Sequence, residues 1–179
     1  MIITISGAPG SGKTTVAKVI AEKLGYKHHS VGDLRGEIAR RYGMTIDELN
    51  EVGKKEIWTD KEADDLTKEM GEKQDDFIID GWVAFHFIPH SIKIFLDVEP
   101  LEGAKRVFKH QRPDEAKQDT PEGVLAMLNK RRDETNDRYK KYYNVDFLEK
   151  KNYDLVIDTT NLTLDQAIQK VMDFIKSRT

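Results

Sequence analysis

Near the start of the chain, the stretch GAPGSGKTT at positions 7–15 combines glycines, a lysine and hydroxyl side chains at a spacing suited to holding phosphate. Residues 7–14 satisfy every fixed position of G-x-x-x-x-G-K-[ST]. They directly follow an apolar run and precede a helical pattern, the context that gives this motif its meaning. Lacking a Cβ, Gly7, Gly10 and Gly12 reach backbone conformations closed to other residues, so the loop of Gly7, Ala8, Pro9, Gly10, Ser11 and Gly12 can turn its amide N–H groups, which all but Pro9 carry, onto phosphate oxygens. The helix expected from Lys13 onward adds the positive end of its dipole. Lys13 is placed to bridge the outer phosphates and the Thr14 hydroxyl to hold Mg²⁺. Thr15 either joins the cradle or is simply a helix residue. The expected ligand is ATP or another nucleoside triphosphate, with Mg²⁺.

A bound triphosphate is either hydrolysed or passed on. Passing it on requires a second anion site, and the chemistry then rests on positioning and positive charge. Arg106 falls in the helix expected after SIKIFLDV, and Arg112 opens a polar segment. Arg131, Arg132 and Arg138 follow on the next helix, where the seven-residue separation of Arg131 and Arg138 puts both on one face. A guanidinium fork matches the equatorial oxygens of a transferring phosphoryl group as well as the phosphate of an acceptor. Any one of these arginines could equally be a solvated surface charge; as a set flanking a proline-broken polar segment they point to a lid.

Asp80 closes the run DFIID ahead of Gly81 and is expected to emerge beside the phosphate cradle, either orienting Mg²⁺ through water or capping the loop. Asp33, in SVGDLRGEIA, either meets a substrate group or caps the helix that starts there. Arg35 is a candidate for the acceptor's phosphate. His86 and His90 are separated by Pro89, which breaks the helix face they would share, so they are not expected to hold a metal.

These residues need a scaffold. Short β-branched runs alternate with long charged helical stretches, the pattern of an α/β fold in which helices cover a parallel sheet. MIITIS (1–6), YKHHSV (26–31), DFIID (76–80), SIKIFLDV (91–98) and YDLVID (153–158) read as five strands of one doubly wound domain spanning residues 1–179. Val16, Ala17, Ile20, Ala21 and Leu24 share one face of the helix KTTVAKVIAEKL, and Gly25 stops it. Residues 33–74, helical and heavily charged, and residues 109–123, polar and broken by two prolines, are expected to stand outside the core as an acceptor-binding insertion and a lid.

Composition narrows the partners. With 29 basic and 32 acidic residues the net charge is −3, which offers no global attraction for nucleic acid or an anionic membrane. There is no cysteine, hence no disulfide and no thiolate metal site. No apolar run approaches the ~20 residues of a membrane helix. The expectation is a soluble, cytoplasmic monomer acting on small nucleotides.

The stretches ITISGAPGSGKTTVAKVIAEKLG, SVGDLRGEIARRYGM and RYKKYYNVDFLEKKNYDLVIDTTNLT resemble the nucleoside monophosphate kinases, and within them the short archaeal-type cytidylate kinases, over nearly the whole chain. The more specific signs are the close VIDTT before the last helix and the arginine-rich RRDETNDRY at 131–139. The resemblance implies transfer of the ATP γ-phosphate to CMP or dCMP. It also implies that Lys13, Arg131 and Arg138 act on the migrating group and that Asp33 and Arg35 face the acceptor. Asp60 and Asp64, in TDKEADD, would accept hydrogen bonds from the cytosine amino group; read by themselves, they are acids in the exposed first turn of a helix. Two positions depart from the family. Arg35 comes two residues after Asp33, where relatives have arginine three after, and Trp82 follows Gly81 where relatives commonly have arginine. A tryptophan cannot pair with phosphate but can stack on a base. AMP, UMP or dephospho-coenzyme A as the acceptor, or a weakly catalytic nucleotide-binding switch, therefore stay open as alternatives.

Overall fold

Strands that run without polar interruption require burial on both faces. The chain meets this with a five-stranded parallel sheet between two helical layers. A computed structural model describes residues 1–111 and 117–178. Strands β1 (Ile2–Gly7), β2 (Lys27–Ser30), β3 (Phe77–Asp80), β4 (Ile92–Asp97) and β5 (Leu155–Asp158) coincide with the five expected runs and lie in the order β2-β3-β1-β4-β5. The helices are α1 (Lys13–Leu24), α2 (Val31–Arg41), α3 (Ile46–Gly53), α4 (Trp58–Lys73), the single turn α5 (Ala84–Phe87), α6 (Pro100–Lys109), α7 (Pro121–Tyr143) and α8 (Leu164–Lys176).

Alternation along the strands sorts the layers. Ile3, Ile5, Ile78, Ile94 and Leu96 point to one face, where they pack on Val16, Ala17, Ile20 and Ala21 of α1 and Ala167, Ile168 and Val171 of α8. Ile2, Phe77 and Ile79 point to the other and meet Val31, Ile38 and Ala39 of α2, Leu49 of α3 and Ala63 of α4. Burying each such large side chain contributes about 1.5–3 kcal/mol. The second layer corrects an expectation: the segment beginning at residue 33 is not outside the core, because Ile38, Ala39, Leu49 and Ala63 are at most 1% exposed beneath its charged surface. These contacts are sparse in sequence, so the charge between them hides the apolar stripe. Beside them, Val83, Phe85, Tyr139, Val145 and Phe147 join α5 and α7 in a third cluster.

Two helix starts fix the frame around the site. Glu99 accepts hydrogen bonds from the N–H groups of Leu101 and Glu102, with Pro100 at the first position of α6; Thr120 accepts from Gly123, with Pro121 opening α7. Among the described residues no helix is long and apolar enough to cross a membrane.

Candidate active site

The central strand β1 ends at the glycine-rich loop, and its neighbours β3 and β4 end beside it, so the loop lies at the carboxyl edge where parallel sheets hold ligands. Gly10 (φ 77°) and Gly12 (φ 86°) take left-handed backbone conformations that other residues adopt only under strain. Gly12 caps α1 with no side-chain hydrogen bond, leaving the helix N–H groups to a ligand. The loop also touches backbone: a Cβ on Gly10 would come within 2.2 Å of the carbonyl oxygen of Gly103 in α6. Ser11 Oγ is buried without a hydrogen-bond partner. Just past β5, the Thr159 hydroxyl approaches the carbonyls of Asp97 (2.8 Å) and Ser11 (3.2 Å), and Arg106 Nη2 donates to the carbonyls of Thr159 (3.0 Å) and Thr160 (2.9 Å). The VIDTT close is thereby tied to both the loop and α6.

Asp80, 3% exposed at the end of β3, is met by three side chains from two elements, α1 and β2. Thr14 Oγ1 donates to its Oδ2 at 2.8 Å and Ser30 Oγ to the same atom at 3.3 Å, while His28 Nε2 lies 2.7 Å from Oδ1. The β2–β3 register pairs Ser30 with Asp80, and His28, two residues back, lies on the same side of the strand.

From this loop a cavity of about 240 Å³ extends towards α2, α3 and α4. Of the residues singled out in the sequence, Pro9, Gly10, Lys13, Thr14 and Asp80 line its donor end. Arg35, Asp60, Trp82, Arg131 and Arg138 line the remainder, so the two arginines seven apart on α7 do face one space. Pro9 and Leu128 also border a second cavity of about 440 Å³ that includes Ala8, Lys150 and Asp158.

The acceptor end is a network of side chains. Asp60 is 2% exposed and bridges two guanidiniums: Arg35 Nη1 donates to Oδ1, and Arg138 Nε donates to Oδ2 at 2.9 Å. Arg35 also donates to the carbonyl of Thr59 (3.2 Å) and to Asn50 Oδ1 (2.9 Å). One turn along α4, Asp64 accepts from the hydroxyls of Tyr139 and Tyr143, each at 3.0 Å. Burial, with the nearby Asp60 charge, raises the Asp64 carboxyl to about 7, and burial together with Asp64 raises both tyrosines. Trp82 donates from Nε1 to the carbonyl of Gly7 (3.1 Å) and stacks on Phe147, ring centres 5.2 Å apart and 8° from parallel.

Several residues stand elsewhere than the sequence suggested. Asp60 and Asp64 are buried, not exposed, and their oxygens are occupied by arginine and tyrosine donors; Asp64 does not line the cavity. Asp33 is exposed in the first turn of α2, away from the cavity, and Ser30 holds the cap position. Thr15 is exposed, and Gly7, Ser11 and Gly12 contribute backbone without lining the cavity. Arg106 is spent on the carbonyls of Thr159 and Thr160, just past β5, and on Glu102. Arg112 lies outside the described residues. The sequence reading missed His28, Asn50 and Phe147. Only His28 left a signal, through its two-residue offset from Ser30 opposite Asp80.

A family model described as the cytidylate kinase-like family matches residues 2–161. The cytidylate kinase of Halobacterium salinarum is 34% identical over 98% of this chain and 89% of its own length. That of Methanocaldococcus jannaschii is likewise 34% identical, over 98% and 97%. An S-adenosylmethionine-dependent nucleotide dehydratase of Lacinutrix mariniflava is 34% identical over 96% of the chain, but the chain spans 35% of that relative's length. Among solved structures, a shikimate kinase from Bacteroides thetaiotaomicron superposes with a TM-score of 0.67 over 98% of both chains at 17% identity, a likeness of fold. The chain belongs to the cytidylate kinase-like family and is, with it, an ATP-dependent nucleoside monophosphate kinase.

Proposed function

We propose that the chain transfers the γ-phosphate of ATP to CMP or dCMP, releasing ADP and the pyrimidine nucleoside diphosphate. The observation that carries this reading is the single cavity running from Lys13 and Thr14 to the side-chain network of α2, α3, α4 and α7. The names of the curated relatives support the choice of acceptor.

In this reading the loop amides and the N-terminus of α1 hold the ATP phosphates, and Lys13 bridges the outer two. An oxygen of the acceptor's phosphate attacks the γ-phosphorus, and the bond to the β-phosphate oxygen breaks to give ADP. Lys13, Arg131 and Arg138 supply positive charge where negative charge spreads over the transferring group, the largest service protein side chains perform in such reactions. The Thr14 hydroxyl and the Asp80 carboxylate, 2.8 Å apart, form a pair of hard oxygen donors suited to Mg²⁺. They would hold the ion directly and through water respectively, and it would neutralise phosphate charge. His28 and Ser30 hold Asp80 in orientation for that task. Residues 109–123, of which 112–116 lie outside the described residues, would act as the lid that keeps water from intercepting the phosphoryl group.

The reading is tested by measuring ADP release with Mg²⁺ and ATP in the presence of CMP, dCMP, UMP, AMP or dephospho-coenzyme A in turn. CMP or dCMP should give the highest kcat/KM. If no acceptor raises ADP release above the rate with ATP alone, the kinase reading fails. Trp82, standing where relatives have arginine, favours a second reading as a weakly catalytic nucleotide-binding protein; turnover in the usual range of about 1–100 s⁻¹ dismisses it.

A further inference from the structure

Selection of the base has lost its obvious agents, since Asp60 and Asp64 already accept from arginine and tyrosine. An acceptor's phosphate must meet the donor's phosphate at Lys13, so its base lies at the opposite end of the cavity, among α2, α3 and α4. Asn50, half-buried on α3, lines the cavity there. Its amide has one allowed orientation. A guanidinium only donates, so Arg35 Nη2 must face Oδ1, and the Nδ2 group is turned away from it. Arg35 is itself held by Asp60 and the Thr59 carbonyl, so the amide cannot flip without setting N–H against N–H. No described residue accepts a hydrogen bond from Nδ2, and Asn50 is among the residues that line the cavity.

The one-residue displacement of arginine in SVGDLRGEIA explains how this arises. Moving a side chain by one position turns it about 100° around a helix. At position 35 the guanidinium reaches α3 and α4, whose Asn50, Thr59 and Asp60 receive it. Among the nucleobases, cytosine alone presents two adjacent acceptors, N3 and O2, on its pairing edge. Uracil and guanine place an N–H at the central position, and adenine has a single acceptor there. We infer that Asn50, its amide set by Arg35, selects the acceptor base by donating from Nδ2 to the N3 and O2 edge of cytosine. The inference deepens the kinase reading above and rests on it for the direction in which the acceptor lies.

Asn50→Asp tests it. The carboxylate keeps an oxygen for Arg35, has the same shape and replaces donors by an acceptor. KM for CMP should rise about 10-fold or more, as expected when a polar edge loses its partner. KM for ATP and the melting temperature should stay unchanged, and the kcat/KM ratio of CMP to UMP should fall because uracil's N3–H can donate to the new carboxylate. A residue that merely supports Arg35 would leave that ratio untouched, and an untouched ratio overturns the inference. Titration of the folded protein with CMP and UMP, followed by tryptophan fluorescence with Trp58 replaced by Phe so that Trp82 in the cavity wall is the reporter, gives the same comparison without turnover. If the wild type phosphorylates no monophosphate yet binds CMP over UMP and Asn50→Asp abolishes that preference, the kinase reading falls and the role of Asn50 stands. If the wild type shows no preference in either measurement, the inference falls.

Discussion

At the donor end of the cavity a ligand meets mainly backbone, the amides of a loop that one short sequence stretch folds on its own terms. At the acceptor end it meets side chains drawn from four helices, α2, α3, α4 and α7, each oriented by another. The phosphate loop needs glycine at set positions and little else. The acceptor network needs Asp60 to hold Arg35 and Arg138, Arg35 to turn Asn50, and Asp64 to engage Tyr139 and Tyr143. The first kind of site tolerates change around it, whereas the second fails as a unit. It also combines structural and substrate-facing roles in the same residues.

That contrast can be broken experimentally, beginning where the effect is largest. Asp60→Ala leaves two guanidiniums facing each other without a counter-charge in a buried space, and should cost about 3–5 kcal/mol of stability. For a chain of this size that lowers the melting temperature by about 6–20 °C in calorimetry. A loss below 1 kcal/mol would mean that the acceptor end is not a unit. Lys13→Ala should do the reverse, reducing phosphoryl transfer about 10²–10³-fold in the ADP-release assay while leaving the melting temperature near its original value. Near-normal turnover would remove Lys13 from its role.

Asp64 gives a pH-dependent test. Its folded-state carboxyl titrates at about 7, above the unfolded value near 3.8, so the folded state holds the extra proton between those values and loses stability as pH rises through that window. Asp64→Asn cannot lose a proton there and should gain stability relative to the wild type between about pH 4 and pH 7, then run parallel above. A difference independent of pH would mean that Asp64 is ionised in the fold throughout. The smallest effect is expected at the seam between the two ends. Trp82→Phe keeps the stack on Phe147 but loses the hydrogen bond to Gly7, costing about 1 kcal/mol.

How much the sequence revealed follows the same division. The five strands, α1 with its Gly25 stop and the loop from Gly7 to Thr14 are set by neighbours within a few residues, and local pattern sufficed to place them. Asp80 beside Thr14 followed from strand ends meeting in a parallel sheet. The network at the other end joins residues that are 25 apart (Arg35 and Asp60) and 78 apart (Asp60 and Arg138), and no periodicity encodes such a pairing. TDKEADD therefore looked like an exposed helix start, although α7 covers it. The core under α2, α3 and α4 was hidden similarly, because a handful of apolar positions suffices once the outer face is saturated with charge.

The contact between Gly10 and Gly103 has a mechanical consequence. Helix α6 rests on the phosphate loop with no side chain between, and Arg106 fastens it to β5, so α6 belongs to the donor half. Helix α7 is bound through Arg138, Tyr139 and Tyr143 to α4 at the acceptor end, while Val124 and Leu128 near its start pack on Ala104 of α6, so α7 joins both ends. Any change in the separation of the donor and acceptor ends is therefore felt along one helix, whose start rests on the donor side and whose far end is held by the acceptor network.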